Sequence, residues 1–179
     1  MNPQTFELPI AELASKVFKS GTITELTNKQ VADYRKHEYR CRDKVHIPGI
    51  TPAKRSNEIE LNAHRIRLGD SLFLLFLRLV AELKRKNGGW VDRYTLESEG
   101  VVSNAGTFQV YSRLRTALAG SLLEKDGGAF IQNDGSKRYR ISVHPDFITY
   151  DKKKLKNHPD GRVREVAEKL PRCLLLQQQ

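Results

Sequence analysis

The chain has 179 residues, of which 39% are hydrophobic and 29% charged, a composition that excludes a disordered chain and favours a globular one. An excess of 31 Lys and Arg over 21 Asp and Glu gives a net charge of +10, which favours a polyanionic partner without distinguishing DNA, RNA and an acidic membrane surface. The longest apolar run, residues 72–77, is far shorter than the ~20 residues of a membrane span. The first ten residues lack a secretory pattern, so we expect a cytoplasmic protein with no membrane contact.

The sequence lacks the patterns that enzymes and metal sites require. Its five histidines do not cluster with cysteines or carboxylates at ligand spacing. It has neither a glycine-rich phosphate loop followed by Lys-Ser/Thr nor a nucleophile elbow. Cys41 and Cys173 fit two thiols of a reducing compartment, with a disulfide left open. We therefore expect no enzyme, no metal and no cofactor.

Residues 1–57 are predicted to form an N-terminal helical extension and a basic linker. Apolar residues at helical spacing predict a helix over residues 10–18. Residues 28–40 predict a second helix, with residues 22–24 as a short strand in the alternative interpretation. Residues 42–57 contain two prolines and several cations, which predict a connector that is either solvated or an arm to phosphates.

The region from residue 58 to residue 84 carries sharper signals. Two alternating segments flank Asn62-Ala63 and predict a hairpin. Its buried face should consist of Ile59, Leu61, Ile66 and Leu68. Gly69-Asp70-Ser71 then offers a helix cap, and residues 72–84 predict the most buried helix, with the cations of residues 84–86 in its last turn. Asn87-Gly88-Gly89 should end it.

Two further helices and a hairpin are predicted after a brief strand at Trp90-Val91. Asp92 is a plausible cap for a short helix over residues 93–99, which offers Tyr94 and Leu96 to the core. A turn over residues 100–105 leads to a helix over residues 106–119. Strands over residues 129–132 and 138–143 flank an Asn-Asp-Gly-Ser hairpin signal. Residues 146–179 are predicted to be a basic and helical C-terminal tail, with a helix from residue 159 or 160 to 170.

These elements predict an α+β fold in which residues 58–145 form a winged helix-turn-helix, with a three-helix core, N-terminal strands and a C-terminal hairpin. Tyr111, Leu114 and Leu118 should form the inward stripe of the helix over residues 106–119. Arginine can bond guanine and glutamine can bond adenine in the major groove, so the outward residues are candidate DNA contacts. The predicted contacts are Thr107, Gln109, Val110, Ser112, Arg113, Arg115 and Thr116 on the helix, and Lys137, Arg138 and Arg140 on the hairpin.

Two predicted roles stay open at this point. For Arg115 an ion pair within the domain competes with DNA contact. For Lys152–Lys154 phosphate contact competes with a solvated run of charge.

Three segments carry a resemblance to a known family. Residues 110–118, VYSRLRTAL, resemble the motif I-S-R-L-R-x-x-L, and residues 68–75, LGDSLFLL, resemble L-T-x-x-E-F-x-L-L. Ile131 with residues 139–141, YRI, resembles a closing I-x-T-V-R-G-x-G-Y-R hairpin. Residues 58–143 thus resemble the OmpR/PhoB-type winged-helix effector domain of bacterial response regulators, which implies DNA binding through this helix and hairpin. The 57 residues before the hairpin are too few for that family's receiver domain, and the hallmark Gly-x-Gly-Tyr is replaced by residues 135–139, GSKRY.

The sequence therefore predicts a sequence-specific binder of double-stranded DNA. We expect a transcriptional regulator, a repressor or autoregulator, that inserts the helix over residues 106–119 into the major groove and uses the hairpin over residues 130–141 as a wing. A homodimer on paired half-sites is expected. The alternatives are a plasmid or phage replication or partition protein and a winged-helix protein-interaction module.

Overall fold

The computed structural model describes residues 41–49, 57–85, 88–103 and 107–171, which form a mixed α+β fold. The predicted N-terminal helices, the cations of residues 54 and 55, Cys173 and the last residues lie outside these ranges. In chain order the elements are β1 (Val45–Ile47), β2 (Asn57–Leu61), β3 (His64–Leu68), α1 (Asp70–Leu83), β4 (Val91–Asp92), α2 (Arg93–Ser98), α3 (Thr107–Ala119), α4 (Gly127–Phe130), β5 (Ile131–Asn133), β6 (Arg138–Ile141), a 3₁₀ turn (Pro145–Phe147), β7 (Ile148–Tyr150), α5 (Lys152–Lys156) and α6 (Gly161–Lys169).

The hairpin of β2 and β3 forms as the alternation predicts. Ile59 pairs with Ile66 in antiparallel register, and Ile59, Leu61 and Leu68 are buried while Ile66 is partly buried. Asn62 and Ala63 make the turn with φ values of 52° and 67°, the positive φ pair that a tight two-residue hairpin turn needs. The side-chain amide of Asn62 also donates to the buried carboxylate of Asp43 at 2.6 Å, which fixes the turn against the chain before β1.

A four-stranded sheet with the order β3-β2-β1-β7 corrects two predictions about loops. Residues 45–47 were predicted to belong to a connector, but β1 lies inside the sheet, antiparallel to β2 and parallel to β7. Val45 and Ile47 are buried and His46 is exposed, the alternation of a half-buried strand. Residues 148–150, predicted to belong to the tail, form β7. Three residues of alternation are too short for the sequence to distinguish such a strand from a loop.

Helix α1 is the centre of the core. All residues from Phe73 to Leu83 are buried, which agrees with the prediction that this helix is the most buried. Its start at Asp70 is stabilised from outside the helix, because the side-chain amide of Asn57 donates to the Asp70 carboxylate at 2.7 Å. The sequence predicted that Lys84 and Arg85 lie in the last turn of this helix. The helix ends at Leu83, so both residues lie beyond it. No helix in the described ranges combines the length and the apolar character needed to cross a bilayer.

A buried ionic cluster joins α1 to the two helices at its side. Arg78, with 3% of its surface exposed, donates to Glu82 at 2.7 Å and to Glu99 at 2.6 Å. Lys169 of α6 donates to the second oxygen of Glu99 at 2.9 Å. Burial opposes ionisation of Glu99, but the hydrogen bonds and charges of Arg78 and Lys169 prevail and lower the pKa of Glu99. The cluster therefore fixes the end of α2 against both α1 and α6.

The helix α6 belongs to the same core. It packs against α1 and α5 and buries Val163, Val166 and Ala167. The buried imidazole of His158 precedes it and stacks on Phe73 with the ring centroids 5.8 Å apart. Residues 148–170, predicted as part of a tail, thus complete the sheet and cover α1.

Acid is expected to weaken the fold through His158. Its Nδ1 accepts from the backbone N–H of Asp160 at 3.0 Å, and its Nε2 lies 2.8 Å from the amide oxygen of Asn57. The amide nitrogen of Asn57 donates to Asp70, so the amide oxygen of Asn57 is free to accept a hydrogen bond from the Nε2–H of His158. With Nδ1 an acceptor and Nε2 a donor, the imidazole ring is neutral. Burial lowers the pKa of His158, and the charges of Asp160 and Asp70 oppose this effect only in part.

The unfolded chain therefore binds a proton at His158 near pH ~6.5 that the folded chain excludes. Stability should be complete above that pH and should fall as the pH drops below it. The variant His158→Gln should lose this part of the pH dependence in urea unfolding measured at pH 7.5 and pH 5.5. An unchanged difference between the two pH values would show that another group is responsible.

Candidate nucleic-acid interface

The short helix α2 begins as the sequence predicts. The Asp92 carboxylate accepts from the backbone N–H of Thr95 at 2.9 Å and from its hydroxyl at 2.6 Å. These hydrogen bonds outweigh the opposing effect of burial and lower the pKa of Asp92. Leu96 is fully buried, but Tyr94 is 69% exposed. The prediction that Tyr94 packs in the core was wrong, because a helix of six residues turns only one side to the core and Leu96 occupies that side.

The inward stripe of α3 is confirmed. Tyr111, Leu114 and Leu118 have at most 1% of their surface exposed. Tyr111 also stacks on Tyr139 of β6, with the ring centroids 3.4 Å apart and the planes at 9°. Burial raises the pKa of the Tyr111 hydroxyl, so the stacked ring stays neutral. This stack holds α3 at a fixed position on the hairpin.

The opposite side of α3 is exposed and free of negative charge. Gln109, Ser112, Arg113 and Thr116 are all exposed, and the 13 residues of the helix include two arginines but no Asp or Glu. The hydroxyl of Thr116 donates to the carbonyl of Ser112 at 3.0 Å, which leaves its oxygen able to accept. Four of the predicted contact residues are thus together on one surface, which we call the α3 outer face.

The remaining predicted residues of α3 have other positions. Val110 is partly buried and packs against the core. Arg115 donates from Nε and Nη2 to the carbonyl oxygen of Ile131 at 2.9 and 2.7 Å. An interaction within the domain therefore occupies Arg115, although its partner is a carbonyl and not a carboxylate. The backbone of Thr107 starts the helix, and its side chain lies outside the described part of the structure.

The close contact between α3 and α4, the helical turn that precedes the hairpin, depends on a glycine. A Cβ atom at Gly127 would lie 2.5 Å from the carbonyl oxygen of Arg115, a distance at which the backbone has to move. Residues 129 and 130 were predicted to start a strand, but they belong to α4, because the Asp126 carboxylate caps this turn by accepting from Gly128 at 2.8 Å. The strand β5 begins only at Ile131. Its partner β6 ends at Ile141 and not at residue 143.

The tip of the β5–β6 hairpin has two cations, of which one is exposed to solvent and the other is paired with a carboxylate of the tip. Lys137 is exposed and has a φ of 62°. Arg138 donates from Nε to the Asp134 carboxylate at 2.6 Å, and about half of its side chain is exposed. Burial opposes ionisation of Asp134, yet backbone hydrogen bonds from Ser136 and Arg138 and the Arg138 charge lower the pKa of Asp134. The charge of Arg138 is therefore largely balanced at the tip, and Lys137 carries the local positive charge.

Arg140 does not belong to the interface. The sequence predicted a DNA contact, but Arg140 is 0% exposed in the structure. Its Nε donates to the amide oxygen of Gln132 at 2.9 Å, and its guanidinium carbon lies 4.7 Å from the centroid of the Trp90 ring. The aromatic face and the neighbouring amide replace water around this charge. We therefore remove Arg140 from the set of candidate contacts.

The basic run at the start of α5 is partly used by the fold. The amine of Lys152 donates to the carbonyl oxygens of Glu168 and Leu170 at the end of α6. Lys154 forms an ion pair with Asp151 at 3.1 Å, and Lys153 is exposed. This arrangement favours a structural role for Lys152, while Lys153 and Lys154 are both exposed and Lys154 is paired with Asp151.

Two exposed aromatic residues were missed by the sequence analysis. Phe108 at the start of α3 is 75% exposed, and Tyr94 on α2 is the next most exposed large hydrophobic residue at 69%. Phe108 precedes Tyr111 by three residues, so helical spacing alone would have placed it near the inward stripe. It is exposed because it lies in the first turn of α3, where no described element covers it.

Within the described ranges, no three His, Cys, Asp or Glu side chains come together as a metal site. Comparisons with family models, with curated proteins and with solved structures found no match to this chain.

Proposed function

We propose that the chain is a winged helix-turn-helix protein that binds double-stranded DNA sequence-specifically and regulates transcription. In this proposal α3 enters the major groove and the β5–β6 hairpin is the wing. The order of elements supports it: α1, β4, α2 and α3 are followed by a hairpin whose strand β6 also pairs with β4. A short helix, a turn and a second helix with a hairpin beside it is the arrangement that winged DNA-binding domains use.

The α3 outer face is the observation that carries the proposal. Gln109 and Arg113 offer the two side-chain types that form bidentate bonds with adenine and guanine, and Ser112 can bond either base. These side chains are exposed, while the opposite side of the same helix is anchored in the core. A rigid helix with accessible donors and acceptors and no carboxylate suits a groove bordered by phosphates.

The hairpin supports the same reading of the surface. The stack of Tyr111 on Tyr139 and the bonds from Arg115 to Ile131 hold the hairpin and α3 as one unit. Lys137 at the tip of the hairpin, directly before β6, adds an exposed positive charge. A cation of this kind contacts phosphates and fixes the position of the protein without reading sequence.

We further propose that the protein is a homodimeric repressor or autoregulator that binds paired half-sites. The resemblance of residues 110–118 to the recognition helix of the OmpR/PhoB-type domains supports a regulatory role. One α3 helix reads only a few base pairs, and a two-fold repeat of half-sites ~34–36 Å apart would double the sequence that is read. Since α6 covers the chain's own α1, its buried side does not serve as a dimer contact. Sedimentation with and without the bound duplex tests the dimer; a monomer in both states would exclude it.

Selection of bound sites from a pool of random duplexes, at a stated salt concentration, tests the main proposal. We expect enrichment of a defined site, with a two-fold repeat if the dimer is correct. Tandem iterated sites would favour a replication or partition role instead. No binding of any duplex at low salt would reject DNA binding and favour a protein-interaction module.

The variant Lys137→Ala should weaken binding to specific and non-specific duplexes by the same factor. The slope of log Kobs against log salt concentration should become shallower by ~0.9, because one phosphate contact is lost. Arg138→Ala should change the slope less, since Asp134 already balances this charge. Arg65→Ala removes an equal charge from β3, where the residue is exposed, and is the control. A change of slope that is as large for Arg65 as for Lys137 would show that loss of net charge, and not loss of a hairpin contact, weakens binding.

A further inference from the structure

Phe108 is the most exposed large hydrophobic side chain in the described part of the chain. Of the other phenylalanines there, Phe73, Phe76 and Phe130 have at most 1% of their surface exposed, and Phe147 has 40%. A phenyl ring in water loses the gain that burial would give it. Its place at the start of α3 therefore calls for an apolar group that covers it in a complex.

The surroundings of Phe108 indicate the chemistry of that group. Gln109 follows it directly, and Ser112 lies one turn further along the same side of the helix, since residues four apart are neighbours on a helix surface. Both neighbours are polar and exposed, and α3 has no acidic residue. A protein partner that buries a phenyl ring would usually find other apolar residues around it. A ring with these two polar neighbours, on a helix that has no carboxylate, fits a surface that is polar and anionic with isolated apolar groups.

The major groove has that composition. Its edges offer donors and acceptors, and its one apolar group is the C5-methyl of thymine, which phenylalanine side chains can contact. We infer that Phe108 packs on a thymine C5-methyl group in the major groove and makes the site selective for thymine at that position. This inference rests on the proposed DNA binding and adds an apolar contact to the polar ones of the α3 outer face.

Replacement of thymine by deoxyuridine tests the inference, because it removes the methyl group and leaves base pairing unchanged. The full chain is titrated with the duplex enriched from the random pool, in which each thymine is replaced in turn by deoxyuridine. At one position in each half-site, the affinity of the parent protein should fall about fourfold, the change expected for burying one methyl-sized group. Phe108→Ala should bind the thymine duplex more weakly and should bind both duplexes equally.

Leu123→Ala and Tyr94→Ala are matched controls. Leu123 is 63% exposed and Tyr94 69%, and neither lies on α3. Both variants should keep the fourfold preference for thymine, and thermal melting of all three variants shows that the fold is retained.

Three results would overturn the inference while leaving DNA binding intact. They are a bound duplex in which no thymine can be replaced with a measurable loss, a thymine preference that persists in Phe108→Ala, and an enriched site without thymine under α3. Absence of binding to every duplex would reject the proposed function itself, and the inference with it.

Discussion

The variant Arg78→Ala is expected to lose about 3 kcal/mol of the free energy of unfolding, because removal of one partner leaves buried charges without compensation. Arg78 is 3% exposed and donates to both Glu82 and Glu99. Its own pKa is raised: burial works against the charge, but the two glutamates outweigh it. The loss lies at the lower end of the usual range, since Lys169 at 2.9 Å from Glu99 and Arg85 at 3.9 Å from Glu82 remain.

Urea unfolding followed by circular dichroism measures this loss. Arg162→Ala is the control, because its ion pair with Asp160 is at the surface, with about half of the arginine side chain exposed. Surface pairs contribute at most about 1 kcal/mol. A loss for Arg78→Ala that is no larger than the loss for Arg162→Ala would show that the cluster does not hold α2 against α1.

The variant Arg113→Ala is expected to lose about 1–3 kcal/mol of specific binding, the usual contribution of a bidentate arginine–guanine pair. Arg113 is exposed on the α3 outer face, so the substitution should leave the fold unchanged. The loss should be confined to the selected site, and the preference at one or two base pairs should become weaker. Competition titrations with the selected duplex and with single-base variants of it measure both effects.

Arg65→Ala removes the same charge from β3, where the residue is also exposed. It should change neither the affinity nor the preference at any base pair. If Arg113→Ala and Lys137→Ala weakened binding by equal factors on every sequence, the division between base contact on α3 and phosphate contact on the hairpin would be wrong.

The parts of the fold that sequence reasoning predicted are those that neighbouring residues decide. Alternation of apolar residues around Asn62 predicted the β2–β3 hairpin, and Asp92 predicted the start of α2 through its cap. The spacing of Tyr111, Leu114 and Leu118 predicted which side of α3 is buried. In each case the residues that carry the pattern are close in sequence to the element that they predict.

The strands β1 and β7 could not be predicted in this way. Val45 pairs with Ile148 in parallel, and a pairing between distant segments leaves no local pattern beyond three alternating residues. The same reason explains why residues 148–170 were predicted as a tail. Their contacts with β1 and α1 follow from the topology of the chain and not from its local sequence.

The predicted site was least accurate where a side chain's environment comes from several elements. Arg140 is buried because Trp90, Gln132 and the backbone of Gly88 surround it, three groups that the sequence does not place together. Tyr94 and Phe108 are exposed because their helices are covered on one side only. Hydrophobicity indicates which residues tend to be buried, but the packing of elements decides which of them are.

The parallel pairing of β1 with β7 also determines when, during synthesis, the four-stranded sheet can be completed. His46 of β1 contacts Thr149 of β7, 103 positions later. During synthesis, β1 can therefore pair with β2 early, but it can pair with β7 only after most of the polypeptide has left the ribosome. Contacts between such distant segments slow folding, and an unpaired strand edge recruits other chains in the meantime. A nascent chain stopped before residue 148 should therefore aggregate even though α3 is already complete.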